Sequence, residues 1–271
     1  MEQHPAGHAI MRHACGIGGM ALESRALSTW HGTALVVGTG GIGSALLEAL
    51  AQRAPDLQLL GASRQRPPAW EDGGLADTAF IAVDLTKSSS LDGLQRRLAA
   101  LPPLRLVINT AGVLHGPDLQ PEKRLSQVNQ ASLATSFGLN AFGPILLAQA
   151  VEPLLPKDQP FHFASLSARV GSIGDNSLGG WYSYRASKAA QNQLLRTLAI
   201  EWKRRLPLGC VSLLHPGTTA TELSRPFQAG VAPGHLFSPA RSANHLLDVL
   251  EGLGEDQSGH FWAWDGSAIP W

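Results

Sequence analysis

Tyr184 and Lys188 stand four positions apart. They open a segment, residues 186–204, that is rich in Ala, Leu, Gln, Lys and Arg with apolar residues at helical spacing. Positions i and i+4 share one helix face, so the phenol and the ammonium can point at one spot. A free tyrosine titrates near about 10 and is a poor acid or base at neutrality. A fixed positive charge stabilises phenolate and lowers that value. The pair is then a proton-transfer device, provided that a substrate and an electron carrier lie beside it. Alone, the same spacing describes an ordinary solvated helix face.

A place for the electron carrier lies upstream. Gly38-Thr39-Gly40-Gly41-Ile42-Gly43 follows a short apolar run and opens a helical pattern. Glycines there permit a tight turn, let backbone N–H groups approach a pyrophosphate, and let the helix pack closely on the sheet. The helix N-terminus adds a field that favours the anion. The competing reading is a glycine-rich turn that holds nothing. In an NAD site an acid is expected about 20 residues on. Here the second apolar run ends Gly61-Ala62-Ser63-Arg64 instead. Arg64, assisted by Ser63, suits the 2′-phosphate of NADPH, and Arg66 is a second candidate. NADP is therefore the expected cofactor, with NAD as the alternative.

These residues need a scaffold. Apolar runs at 34–37, 57–61, 80–83, 104–109, 160–165, 210–214 and 259–264 predict strands. Helical patterns at 42–53, 91–100, 132–154, 186–204 and 240–250 separate most of them. Short apolar strands alternating with helices predict an α/β fold: one doubly wound Rossmann domain, residues 31–271, with a parallel sheet of about seven strands covered on both faces. Residues 1–30, with His4, His8, His13 and Cys15 among Gly, Ala and Met, read as a flexible extension, with metal binding as the alternative. They lack the pattern of a secretory signal.

Lys+Arg and Asp+Glu both number 21, so the formal charge is zero. Nothing in that balance recommends nucleic acid or an anionic membrane as partner. Cys15 and Cys210 show no metal spacing and read as thiols of a reducing, cytoplasmic compartment. No metal site and no membrane span is expected.

In this order the motifs resemble the short-chain dehydrogenase/reductase family, from about residue 33 to the end. The resemblance rests on the glycine turn, Asp84-Leu85, Asn109-Thr110-Ala111-Gly112, Asn140-Ala141-Phe142-Gly143, Ser167, the Tyr184 and Lys188 pair, and Pro216-Gly217-Thr218 with Thr221. The run Ser167-Ala168-Arg169-Val170-Gly171-Ser172-Ile173 and the ending Trp264-Asp265-Gly266 are similar to the C-factor-like branch, named for a bacterial cell–cell signalling protein. There are departures. The glycine turn is one residue short, Thr110 replaces an asparagine, and Ala168 is an extra residue after Ser167, which puts Ser165 in play as the active-site serine. A glycine-containing insertion, residues 174–180, precedes Trp181.

The resemblance implies a mechanism. Tyr184 is the general acid in carbonyl reduction and the base in alcohol oxidation. Lys188 lowers the tyrosine pKa and binds nicotinamide-ribose hydroxyls. Ser167 donates to the substrate oxygen, and Asn140 holds a water that links Lys188 to solvent. Asp84 and Leu85 meet the adenine, Asn109, Ala111 and Gly112 the central ribose region, and Pro216, Gly217, Thr218 and Thr221 the nicotinamide amide. Each has a structural rival: Asp84 as the cap of a helix starting near Ser88, Asn140 as a polar group satisfied by backbone, Ser167 and Pro216-Gly217 as turn residues. His115 and His215 take no catalytic part in this reading, and Trp181 reads first as a packing residue, with lining the pocket beside Tyr184 as the alternative. The segments 113–135, 172–181 and 222–236 are mostly neutral, which suits a moderately apolar carbonyl or alcohol. A signalling role with incidental turnover is the alternative function. Relatives of this kind form dimers or tetramers, and a stripe of Leu194, Leu195, Leu198 and Trp202 fits either such an interface or packing on the sheet.

Overall fold

A computed structural model describes residues 26–71 and 74–271. Its main sheet is built from β1 (Gly32–Val37), β2 (Leu57–Ser63), β3 (Ala79–Ala82), β4 (Leu104–Asn109), β5 (Phe161–Leu166), β6 (Gly209–His215) and, after the short pair β7 (Thr218–Thr219) and β8 (Leu236–Phe237), β9 (His260–Ala263). All seven strands run parallel in the order β3-β2-β1-β4-β5-β6-β9. Every residue of β4 and β5 is buried, as expected when helices cover both faces of a parallel sheet. The strand order reverses between β1 and β4, and in open α/β sheets ligands bind at the carboxyl ends of the strands at such a reversal.

The helices are α1 (Gly41–Arg53), α2 (Ser88–Leu98), α3 (Gln130–Phe137), α4 (Gly143–Val151), α5 (Tyr182–Arg205) and α6 (Pro239–Gly252). Alternation along each strand divides the core. Leu35 and Val37 pack with Leu94 of α2, Leu147 of α4, and Leu195, Leu198 and Trp202 of α5. Ala34 and Val36 pack with Leu46 and Leu50 of α1 and Leu246 and Leu250 of α6. Most of the α5 stripe is thereby explained as core.

Three expectations shift. The predicted helix over 132–154 starts at Gln130 and is interrupted by a π turn, Gly138–Phe142. Pro144 lacks an N–H and its ring crowds the carbonyl four residues back, so the regular ladder cannot pass. By length and composition the run Gln130–Leu154 is apolar enough to cross a membrane. Its Leu147, Ala148 and Val151 lie in the core, and a packed helix accounts for it. Helix α5 begins at Tyr182 rather than Ala186, which puts Tyr184 in its first turn. Finally, the extension drawn over 1–30 ends too late. Leu27 and Trp30 are buried, and the Trp30 ring stacks with His162 at 5.3 Å and packs against the Arg105 guanidinium at 4.6 Å. His4, His8, His13 and Cys15 fall outside the described residues.

Candidate active site

The glycine turn is shaped by close approach. Gly38 adopts φ +92, and a Cβ there would come within 2.6 Å of the Ala111 nitrogen. A Cβ at Gly43 would overlap the Gly38 carbonyl oxygen. Gly40 caps α1 without a side chain, and Gly41, Ile42 and Gly43 form its first turn. The Thr110 hydroxyl donates to the Gly38 carbonyl at 2.5 Å. The departure from asparagine thus bolts the turn to the end of β4. Thr39 and Ser63 share a hydroxyl hydrogen bond of 2.5 Å, and Ser63 donates to the Gln65 carbonyl at 2.7 Å. The chain leaves β2 beside the turn, with Arg64 exposed and without a partner among the described residues. Arg66 is committed elsewhere. It donates to the carbonyls of Ala76 (2.5 Å) and Thr78 (3.1 Å) and covers the Trp70 ring. Arg66 therefore drops out as a partner for a 2′-phosphate.

After β3, the Asp84 carboxylate accepts from the Thr86 N–H (3.0 Å) and hydroxyl (2.6 Å). Those bonds hold its pKa below the ordinary carboxylate value. The residue preceding α2 is Lys87, with no side-chain cap; Asp84 shapes the turn and is not the helix cap. The Leu85 side chain belongs to the core, against Gly143.

Around β4 and β5 the polar residues converge. Asn109 donates to Ser165 Oγ at 2.9 Å, and its Oδ1 accepts from the Ala111 N–H at 3.2 Å. Gly112 sits so close that a Cβ would lie 3.3 Å from Asn140 Oδ1 and 3.8 Å from Lys188 Nζ. Asn140, in the π turn, accepts from the Val113 N–H and donates to the Val113 carbonyl, both at 2.8 Å. It also donates to Ser187 Oγ at 3.0 Å, and Ser187 donates to the Tyr184 carbonyl at 2.9 Å. Both polar atoms of the amide are engaged in tying the β4–α3 connection to α5. That is the structural role the sequence offered as its rival reading.

Tyr184 and Lys188 share one face of α5, with Nζ 6.0 Å from the phenol ring centre. Both are buried. Burial disfavours either charge: it pushes the Tyr184 phenol up and the Lys188 ammonium down to about 7. In the protein alone burial thus outweighs the expected lowering of the phenol by Lys188. Lys188 Nζ donates to the Leu166 carbonyl and to Gln191 Oε1, each at 2.8 Å. Ser167 is buried at the end of β5, and its hydroxyl donates to Asn192 Oδ1 at 2.6 Å. Ser165 is wholly enclosed and accepts from both Asn109 and Gln191 Nε2. No hydrogen bond joins either serine to Tyr184 among the described residues.

Loops close the site. Gly217 backs onto the Phe237 ring, and Thr218 leads into β7. Thr221 crosses the start of α1, where its methyl lies 3.0 Å from the place a Gly41 Cβ would take. Trp181 ends the inserted segment in a left-handed conformation, φ 52, after Gly179 and Gly180 in the same region. Its ring meets those of Tyr184 and Phe227, and Phe227 meets His115. The Glu122 carboxylate accepts from the Ser183 N–H at 3.1 Å and from its hydroxyl, while its backbone carbonyl accepts from the Trp181 N–H. Sequence reasoning passed over Glu122, Gln191, Asn192 and Phe227. Only the apolar company of Gln191 and Asn192 in α5 hinted that these amides point inward.

Comparison with known proteins matches this arrangement. The family model described as short chain dehydrogenase fits residues 32–232. The chain is 34% identical over 170 residues to the C-signal protein of Myxococcus xanthus, covering 62% of this chain and 93% of that one. It is 32% identical over 199 residues to 1-hydroxy-2-glutathionyl-2-methyl-3-butene dehydrogenase of Rhodococcus sp. strain AD45, covering 72% and 80%. Among solved structures it resembles the carbonyl reductase Sniffer of D. melanogaster, with a TM-score of 0.76, 26% identity, and coverage of 89% and 100%. The chain belongs to the short-chain dehydrogenase family of oxidoreductases, whose members use a nicotinamide cofactor.

Proposed function

We propose that the protein transfers a hydride between NADPH and a neutral, moderately apolar carbonyl compound or its alcohol. The observation that carries this reading is the placing of Tyr184 and Lys188 on one buried face of α5, beside the Gly112 backbone that follows the carboxyl end of β4. The glycine turn fits a dinucleotide, because side chains at Gly38 or Gly43 would fill the space that backbone needs. Gly38, Thr39, Gly40, Gly41, Ile42 and Gly43 would hold the pyrophosphate, Ser63 and Arg64 the 2′-phosphate, and Asn109, Ala111 and Gly112 the adjoining ribose. Pro216, Gly217, Thr218 and Thr221 would meet the nicotinamide. The cofactor, when bound, supplies the hydride and the electron pair.

The rest falls to side chains of this chain. Tyr184 gives its proton to the carbonyl oxygen in reduction and takes it back in oxidation. Lys188 keeps one ammonium proton beyond the two it gives to Leu166 and Gln191. That proton is available to a ribose hydroxyl. Trp181 and Phe227 exclude water above the phenol. Ser167 serves the substrate oxygen by turning its hydroxyl away from Asn192.

Likeness to the C-signal protein supports a second reading, a cofactor-binding signalling protein with incidental turnover. A panel of ketones, aldehydes and quinones with NADPH separates the two. Oxidation of NADPH that falls by about 10²- to 10⁴-fold in Tyr184→Phe, with binding retained, supports the enzyme. Tight binding without turnover on any substrate sinks it.

A further inference from the structure

Gln191 is wholly buried in α5, and each of its side-chain polar atoms is spent. Its Oε1 accepts from Lys188 Nζ at 2.8 Å. Its Nε2 donates to Ser165 Oγ at 2.9 Å and faces the Leu166 carbonyl at 3.2 Å. The orientation of the amide follows from chemistry: an ammonium only donates and a carbonyl only accepts, so a flipped amide would break both contacts. Ser165 also accepts from Asn109, whose Oδ1 holds the Ala111 N–H. A continuous chain of hydrogen bonds thus runs from Lys188 to the 109–112 turn. We propose that Gln191 is a positioning residue for Lys188, fixing where the ammonium sits and coupling it through Ser165 and Asn109 to the turn that faces the cofactor. The inference rests on the oxidoreductase reading for its purpose, but not for its geometry.

The physical consequence is specific. A buried ammonium is stabilised by each acceptor that replaces water. Gln191 supplies one of the two within reach, the Leu166 carbonyl the other. Tyr184 shares the helix face of Lys188, and the charged or titratable groups on the adjoining segments are Arg185 on α5, Arg169 and Asp175 between β5 and α5, His215 at the end of β6, and Glu122 ahead of α5. Arg169 pairs with Asp175 at 2.7 Å, Arg185 donates to the carbonyls of Gly180 and Val170, and Glu122 is taken by Ser183. None bonds Lys188 among the described residues, so of its two acceptors the one at residue 191 is the only side chain.

The test is a lysine ¹³Cε NMR titration of the whole protein without cofactor, with the Lys188 signal assigned through Lys188→Met. In Gln191→Leu the midpoint should fall by about one unit, since an acceptor is lost. In Gln191→Glu it should rise by about one unit, since the acceptor becomes an anion. Two variants of opposite sign guard against a change that merely loosens the fold. Unmoved midpoints in folded variants, or shifts of the same sign, overturn the proposal. Failure of the wild type to oxidise NADPH on any substrate would overturn the oxidoreductase reading instead, and leaves this titration readable.

Discussion

The indole of Trp181 stands edge-on to the phenol of Tyr184, with ring centres 6.2 Å apart and planes at 74°. Phe227 meets the same indole, with ring centres 4.9 Å apart. Among the described residues Trp181 alone, glycines apart, has a positive φ, at 52. Such a conformation costs a side chain about 1–2 kcal/mol. The backbone bond to Glu122 and the two ring contacts hold it. Strain of this kind persists where surrounding structure enforces it, commonly beside a working site.

Trp181→Gly and Trp181→Ala both delete the ring, but only glycine relieves the backbone. We expect the glycine variant to be the more stable of the two by about 1 kcal/mol in urea unfolding. We expect KM for any apolar carbonyl compound that the protein reduces to rise in both. An alanine variant more stable than the glycine variant would contradict the account of the strain.

Glu122 acts on α5 from outside it. The helix has no side-chain cap of its own, and this buried carboxylate takes the Ser183 N–H and hydroxyl in the first turn. An anion there also meets the positive end of the helix. Glu122→Ala should cost about 1–3 kcal/mol in urea unfolding, because the Ser183 groups lose their partner. Glu122→Gln keeps an acceptor and should lose less. Equal losses would show that the acceptor does not matter.

Much of this architecture was legible in the order of residues. Seven apolar runs became seven strands because parallel strands are buried on both faces and need no alternation to be recognised. The β7 and β8 pair, two residues each, was invisible because so short a run carries no period. The glycine turn and the Tyr184 and Lys188 spacing announced themselves by local geometry. Glu122 reaches Ser183 across 61 positions, and Asn109 meets Ser165 across 56. Contacts of that range have no signature in spacing. The balance of charge effects at Tyr184 was also out of reach, since burial, unlike the nearness of Lys188, depends on which loops cover the ring.

Arg64 and Arg66 divide two tasks that sequence alone left shared. Arg64 is exposed and unpartnered among the described residues, whereas Arg66 holds the 75–78 turn. In fluorescence titrations Arg64→Ala should weaken NADPH about ten- to a hundred-fold and leave NADH nearly unchanged, as expected for a lost bond to a charged group. Arg66→Ala should lower stability without narrowing that gap. Equal affinity of the wild type for both nucleotides would remove the NADPH preference.

His215 gives the protein an acid-sensitive point at the end of β6. Its Nδ1 is buried without a hydrogen-bond partner among the described residues. Burial first, and the nearby Arg169 charge second, push its pKa from 6.5 down to about 4, against the opposing pull of Asp265. Above pH 6.5 the ring is neutral both folded and unfolded, and pH has no leverage through it. Between 6.5 and about 4 the unfolded chain takes a proton that the folded protein refuses. Stability therefore falls as pH drops through that window. His215→Asn has no such proton to bind. Urea midpoints measured from about pH 7.5 to about pH 4.5 should decline more steeply for the wild type than for this variant. Parallel curves would mean that the folded protein protonates His215 as readily as the unfolded chain does.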